Sequence, residues 1–275
     1  MSAQNRVGSV YRPRVVTLVM MTVIGIMTGC ENPITGYGPQ PVYLDKQEHR
    51  PMLNVFGVLR PGTQNGMPLS FVHLEESFSV TSSPDVIEVR DADVTLFRYE
   101  GDVIVDSTAF TYTHFDSTFQ RSEYRHAEFY PVEYQTYGLS CRRSGFPELT
   151  SKTTVPSVPA IIEDSFEIDT NRLAFSILGD SLAALYDITL WVGEHLYNQR
   201  LRRPEVGNID VAFDLDANHG LSGTLLIYAY DLQLSKYMTY NVNVKYNTYR
   251  SDYSTVENGL GCFGSLNVLE RIVTF

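Results

Sequence analysis

Few side chains in this sequence have both the type and the spacing that chemistry requires. Gly259-Leu260-Gly261-Cys262-Phe263-Gly264 has the G-x-G-x-x-G spacing that lets a backbone approach a pyrophosphate. That motif needs a strand before it, a helix after it and an acid about 20 residues further on, whereas this sequence stops at Phe275. The glycines are better read as a tight loop with positive φ before a final strand near Ser265 to Phe275. Asp214-Leu215-Asp216-Ala217-Asn218-His219-Gly220 opens like a calcium loop, but the glycine comes one place late and position twelve is Leu225 rather than Glu. A polar turn is the reading that fits. His49, His73, His114, His126, His195 and His219 are scattered, with neither H-E-x-x-H nor Cys-His spacing for zinc. No serine sits in G-x-S-x-G, and Gly220-Leu221-Ser222-Gly223 falls one residue short of it. Acid pairs such as Glu75-Glu76 and Asp91/Asp93 are expected as solvated surface in a chain with 32 acids. No catalytic residue, cofactor or metal site is therefore expected, and an enzyme is the weakest reading.

The exception is Cys30. It closes VVTLVMMTVIGIMTGC, an uncharged and mostly apolar run from Val15 that follows Arg6, Arg12 and Arg14. A positive head, an apolar core of about 7–15 residues and small residues at its end form an export-signal pattern. The run is shorter than the ~20 apolar residues that cross a bilayer comfortably. Met27-Thr28-Gly29-Cys30 resembles a bacterial lipobox, with Met27 where Leu is commoner. Residues 1–29 are accordingly read as a lipoprotein signal peptide, and the Cys30 thiol as the site of lipid attachment. An uncleaved anchor and a free secreted protein are the alternatives.

Cleavage there removes three arginines and no acid, so the formal charge moves from −11 to −14. So acidic a chain repels phosphate backbones, which disfavours nucleic acid as a partner, and it repels anionic head groups. Membrane attachment then rests on acyl chains, at about 0.8 kcal/mol per buried CH₂. Cys141 and Cys262 are the remaining thiols, about 120 residues apart. A bridge would need their Cα atoms within about 7 Å, and two separate thiols is the preferred reading, with pairing left open. Eighteen Tyr and 14 Phe against one Trp suit the half-buried surfaces of strands, although a sugar- or peptide-stacking face would use the same residues.

The elements that would carry these residues are strands. Residues 30–50 hold three prolines and two glycines without a sustained period and read as a tether. Residues 51–158 are expected to form one β-sandwich, with strands near Met52 to Leu59, Val86 to Val89, Val94 to Tyr99, Val103 to Val105, Phe110 to Phe115, Tyr134 to Arg142 and Leu149 to Val155. Thr153-Thr154-Val155-Pro156-Ser157-Val158-Pro159 reads as a short stiff join, or else as a proline-capped edge strand. Residues 159–275 are expected to form a second sandwich, with strands at Phe166 to Ile168, Leu173 to Leu178, Tyr186 to Val192, Ile209 to Leu215, Thr224 to Tyr230 and Tyr240 to Tyr246. Leu225 to Tyr230 is nearly all apolar and is the candidate central strand. Asp231 caps a short helix that runs to about Met238. Short strands with turn signals every ten or so residues make the chain all-β, with two immunoglobulin-like sandwiches in tandem.

The lipobox, the β-rich first half closing on Thr154-Val155-Pro156 and the tail Val256-Glu257-Asn258-Gly259-Leu260-Gly261-Cys262-Phe263-Gly264 together resemble a family of Bacteroidota outer-membrane lipoproteins of unknown function. Its members end in an E-N-G-x-G-x-F-G loop. The resemblance implies two immunoglobulin-like β domains on a lipid anchor at the outer membrane, and a non-enzymatic accessory role beside a TonB-dependent transporter. A structural or adhesive surface module is the alternative. No catalytic residues carry over and the ligand is unknown. Cys262 stands where the family often has an aliphatic residue, which points to a loop that packs inward.

Overall fold

A computed structural model describes residues 51–64, 67–77, 87–114, 122–169, 171–202, 207–216, 222–241 and 254–275. Cys30, the leader and the tether lie outside the described residues. Apart from one helix, the regular structure of the described residues is strand. The first sandwich uses β1 (Leu53–Leu59), the small hairpin β2 (Thr63–Gln64) and β3 (Met67–Pro68), β4 (Phe71–Glu76), β5 (Asp93–Glu100), β6 (Val103–His114), β7 (Ser122–Arg125), β8 (Thr136–Arg142) and β9 (Leu149–Thr154). Alternation decides which way each faces. In β5, for example, Val94 and Leu96 point into the core while their neighbours face outward.

β6 is one strand of 12 residues, not the two short strands expected at Val103 to Val105 and Phe110 to Phe115. The polar residues between them continue the ladder, since Asp106 and Ser107 pair with Arg98 and Phe97 of β5. From Thr111 onward β6 changes partner and pairs with β7, which turns the strand from one layer of the sandwich into the other. Leu53, Leu74, Leu96, Tyr124, Leu139 and Leu149 fill the space between the layers. The segment expected as a strand near Val89 contributes only a single bridge, Glu88 to Glu75, among the described residues.

The second sandwich stacks β10 (Ala160–Asp169), β11 (Arg172–Leu178) and β14 (Asn208–Asp214) on β13 (His195–Arg202), β12 (Leu185–Val192), β15 (Ser222–Tyr230) and β16 (Leu260–Thr274). The chain changes sheet between β11 and β12, between β13 and β14 and again between β14 and β15. This is the Greek-key path of an immunoglobulin-like sandwich. Apolar residues spaced two apart, among them Leu173, Phe175, Ile188, Leu190, Leu225 and Ile227, form its core. β15 is central, paired with β12 on one side and β16 on the other. The helix α1 (Leu232–Asn241) follows at once. Tyr240 and Asn241, expected to begin a strand, are the last helical residues; the rest of that stretch lies outside the described residues.

β16 joins the two sandwiches. Leu260 to Ser265 pair in parallel with Asn54 to Leu59 of β1, and Leu266 to Thr274 pair antiparallel with β15. Phe263 therefore belongs to the first core and Val273 to the second. The strand starts at Leu260, five residues ahead of the expected position, so Gly261 and Gly264 lie inside a strand rather than in a loop before it. The 158/159 join is thus crossed twice, because residues 260–265 supply a strand to the sandwich formed by the other end of the chain. Contacts accordingly group His49–Phe275 as one unit.

A candidate functional site at the elbow

Val155-Pro156-Ser157-Val158-Pro159 passes from β9 to β10, and neighbouring groups hold it along its length. Val155 and Pro156 are buried, and Asn267 Nδ2 donates to the Pro156 carbonyl at 3.1 Å. The Ser157 N–H and hydroxyl both donate to Asp180 Oδ2, at 2.7 and 2.9 Å. The Asp180 N–H in turn donates to the Tyr186 hydroxyl. Proline fixes φ at two positions and these bonds fix the rest.

Beside this segment lies a buried polar cluster. Asp231 is the residue before α1, and its Oδ1 accepts the Leu234 N–H at 2.8 Å as a helix cap should. Its Oδ2 accepts a hydrogen bond from Thr153 of β9 at 2.5 Å. The Thr153 and Ser265 hydroxyls are 2.8 Å apart, and Ser265 also reaches the Thr154 carbonyl at 3.0 Å. Asp231 is 3% exposed. Burial pushes its carboxyl up to about 6, against the opposing pull of the hydrogen bonds from Thr153 and the backbone. Leu234, Val58, Leu185, Tyr230 and Cys262 close around the cluster as a third apolar core, which α1 covers.

What the elbow displays is a short loop. Tyr130, Val132 and Tyr134 are 50%, 61% and 63% exposed, while Phe129 between them and the chain is buried as an anchor. The loop is rigid. Tyr134 N–H donates to Val155 O, Val132 N–H to the Tyr137 hydroxyl, and the Gln135 amide to Tyr99 O. Tyr134 has a φ of 62°, a left-handed conformation that costs a residue with a Cβ roughly 1–2 kcal/mol. Sequence reading missed this loop, and the signal available was the alternation of large side chains in Phe129-Tyr130-Pro131-Val132-Glu133-Tyr134.

Next to the loop, the tip of the β5–β6 hairpin exposes Val103, Ile104 and Val105. This edge is blunted against pairing with another strand. The register skips between Arg98 and Tyr99, a bulge at Val105, and Asp106 Oδ1 takes up the Ser107 N–H at 2.8 Å. On the outer face of β5, β6 and β8 a depression of about 500 Å³ is lined by Arg90, Asp93, Phe97 and Arg142. Glu88 and Glu148 already engage its two guanidinium groups, at 3.0 and 2.9 Å.

The structure disperses the residues whose types suggested chemistry. Gly261 has a φ of 104° and lies against the Val55 carbonyl, so it permits close strand pairing and cradles no phosphate. Asp214 ends β14, and Asp216 accepts from Tyr197 and pairs with His195 at 3.3 Å; residues 217–220 lie outside the described residues. Glu76 and Asp91 both pair with Arg143, and Glu75 pairs with His73. Among the described residues no three metal-binding side chains converge. Cys141 and Cys262 are separate, buried thiols. Burial pushes Cys262 up to about 12 and Cys141 higher still, so both are inert at neutral pH.

No protein-family model matches the chain, and no curated protein matches it. Among solved structures, a chain of a cytokine receptor complex is 10% identical, with a TM-score of 0.30, over 80% of this chain and 96% of that one. The chicken interferon gamma receptor alpha chain is 7% identical, with a TM-score of 0.23, over 65% of this chain and 88% of that one. At such values the fold assignment rests on the strand order itself.

Proposed function

We propose that this chain is a lipid-anchored, non-enzymatic protein of the outer membrane, which holds a partner or ligand for a TonB-dependent transporter at the elbow between its sandwiches. The observation that carries the binding role is the strained, exposed Tyr134 on a loop tied down at both ends, beside Tyr130 and Val132. A rigid display of aromatic side chains loses little entropy on binding and supplies the large contacts that dominate interfaces. The anchor and address rest on Arg6, Arg12, Arg14, the apolar run and Cys30, and the transporter on the family resemblance.

Two measurements test the reading. Cys30→Ser should leave the protein unlipidated and move it out of the membrane fraction; unchanged sedimentation overturns the anchor. A photo-crosslinking side chain at position 134 should capture a β-barrel transporter in native membranes. Capture of a different surface protein would instead favour the structural or adhesive module.

A further inference from the structure

The outer face of the β13-β12-β15-β16 sheet is buried at one end and, among the described residues, exposed at the other. Cross-strand pairing sets Leu196 opposite Trp191, Trp191 opposite Thr224, and Thr224 opposite Ile272. Directly paired residues emerge on the same face, so these four form a row across four strands, about 14 Å long at the ~4.8 Å strand spacing. On the same face nearer the elbow, Leu185, Tyr230 and Leu266 form another row, packed with Leu234 of α1. The first row is no part of that core, and there Leu196 is 53%, Trp191 48% and Ile272 66% exposed.

Single exposed apolar residues need no explanation. Here three stand in one line, and one of them is the only tryptophan of the chain, the residue type most enriched at binding hot spots. Together they offer roughly 300 Å² of apolar surface, well short of the ~800 Å² per partner that a stable interface between two copies buries. The patch has the size of an anchor site for one short segment.

The charges around it give that segment its sign. Glu194, in the turn between β12 and β13, and Glu270, paired opposite Leu226 one row from Trp191 and Ile272, are both exposed. Neither has an ion-pair partner among the described residues. Among the described residues of these strands, Arg200 is paired with Asp187 at 2.5 Å and Arg271 with Glu163 at 2.8 Å. Arg202 lies three rows nearer the elbow, opposite Leu185.

We propose that the Leu196–Trp191–Ile272 row docks a cationic amphipathic segment of a partner protein. Apolar side chains of that segment rest on the row, and its Lys or Arg residues lie beside Glu194 and Glu270. The surface is distinct from the elbow and does not depend on it.

Because Trp191 is the sole tryptophan, fluorescence of the full mature protein reports on this row alone. Titration with a synthetic Leu/Lys amphipathic peptide, free of aromatics, should give a saturable blue shift. Ile272→Ser and Glu270→Lys should each weaken that binding tenfold or more while leaving the melting temperature unchanged. Trp191→Ser, followed by anisotropy of a labelled peptide, should do the same. Glu128→Lys, on an exposed residue of the other sandwich, changes the net charge equally and should leave affinity where it was. An equal loss from Glu128→Lys would reduce the binding to bulk charge and overturn the proposal. So would unaltered affinity in Trp191→Ser and Ile272→Ser, or no saturable binding at all. A blue shift that grows with protein concentration alone and vanishes in Ile272→Ser would make the row a self-association face, and overturn it too.

Discussion

The Thr153 hydroxyl of β9 and the Asp231 carboxyl that caps α1 are 2.5 Å apart in a site closed to water, so one hydrogen bond ties the first sandwich to the helix that covers the join. Two protonation patterns fit that contact, and the ionised one, in which Asp231 accepts from Thr153, leaves an acceptor short of a proton. If Asp231 keeps its proton, it donates to Thr153, Thr153 to Ser265, and Ser265 to the Thr154 carbonyl, and every contact is satisfied. If Asp231 is ionised, Thr153 donates to it, and the single Ser265 proton must choose between Thr153 and Thr154. This agrees with a carboxyl pushed up to about 6 by burial.

The sign of the resulting pH dependence follows from linkage. The folded chain holds the Asp231 proton more tightly than the unfolded chain, so this group stabilises most below pH 3.8. That stability falls away as pH rises to about 6, then stays level. The span corresponds to about 3 kcal/mol. Asp231→Asn keeps the helix cap and removes the titration. The difference in unfolding free energy between Asp231→Asn and the parent, measured in urea from pH 4 to pH 7.5, should therefore move in favour of the variant as pH rises. A difference constant across that range would show that Asp231 titrates normally. Taking the difference cancels opposing carboxylates such as Glu148, which Arg142 holds below the usual range.

Tyr134 provides a test in which stability and binding part company. Glycine at this position relieves the left-handed backbone but adds freedom to the unfolded chain, for a net gain of about 0.5 kcal/mol. Alanine keeps the strain and gains nothing. Tyr134→Gly should then raise the urea midpoint slightly above that of Tyr134→Ala, while both variants lose the partner captured by a photo-crosslinking side chain placed instead at position 132, which is exposed on the same loop. If the glycine variant is the less stable, the left-handed backbone at 134 carries no net strain and the strain argument is wrong.

Much of this fold is legible in the sequence because period-2 alternation survives wherever one face is dry. Leu53 to Leu59, Val94 to Tyr99 and Leu173 to Leu178 are such stretches, and they are strands as expected. The cap of α1 is legible too, since Asp231 follows an apolar strand and precedes a segment without proline or glycine. His195-Leu196-Tyr197-Asn198-Gln199-Arg200-Leu201-Arg202 is an edge strand with both faces half wet, so its pattern is too polar to stand out. Hidden too is the path of β16, because the pairing of Val55 with Gly261 spans nearly the whole described chain and no local signal reports it. The elbow is obscured for the same reason, as Thr153, Asp231 and Ser265 meet only once both sandwiches have formed.

The two thiols test the packing of both cores. Cys141 lies inside the first sandwich and Cys262 under α1, each with no measurable exposure, and the thiolate is the species that reacts. A thiol-specific chromogenic reagent at pH 8 should find neither in the native mature protein and both after denaturation. Reaction of Cys262 alone would mean that α1 lifts off the join in the native state.

Gly261 separates backbone strain from steric exclusion. A Cβ there would lie 1.9 Å from the Val55 carbonyl oxygen and 2.9 Å from Asn54 Oδ1, at a φ of 104°. The carbonyl belongs to β1, whose pairing with β16 builds the first sandwich, so it has little room to retreat. Gly145 also has positive φ, at 85°, but nothing lies within 4 Å of its absent Cβ. Gly145→Ala should therefore show conformational strain alone, about 1–2 kcal/mol. Gly261→Ala adds displacement of the strand and should lose about 3 kcal/mol or more, the range of severe core substitutions. Equilibrium unfolding of the two variants side by side checks this. Equal losses would mean that β1 and β16 separate readily at Gly261 and that the parallel pairing is not what holds the two ends of the chain together.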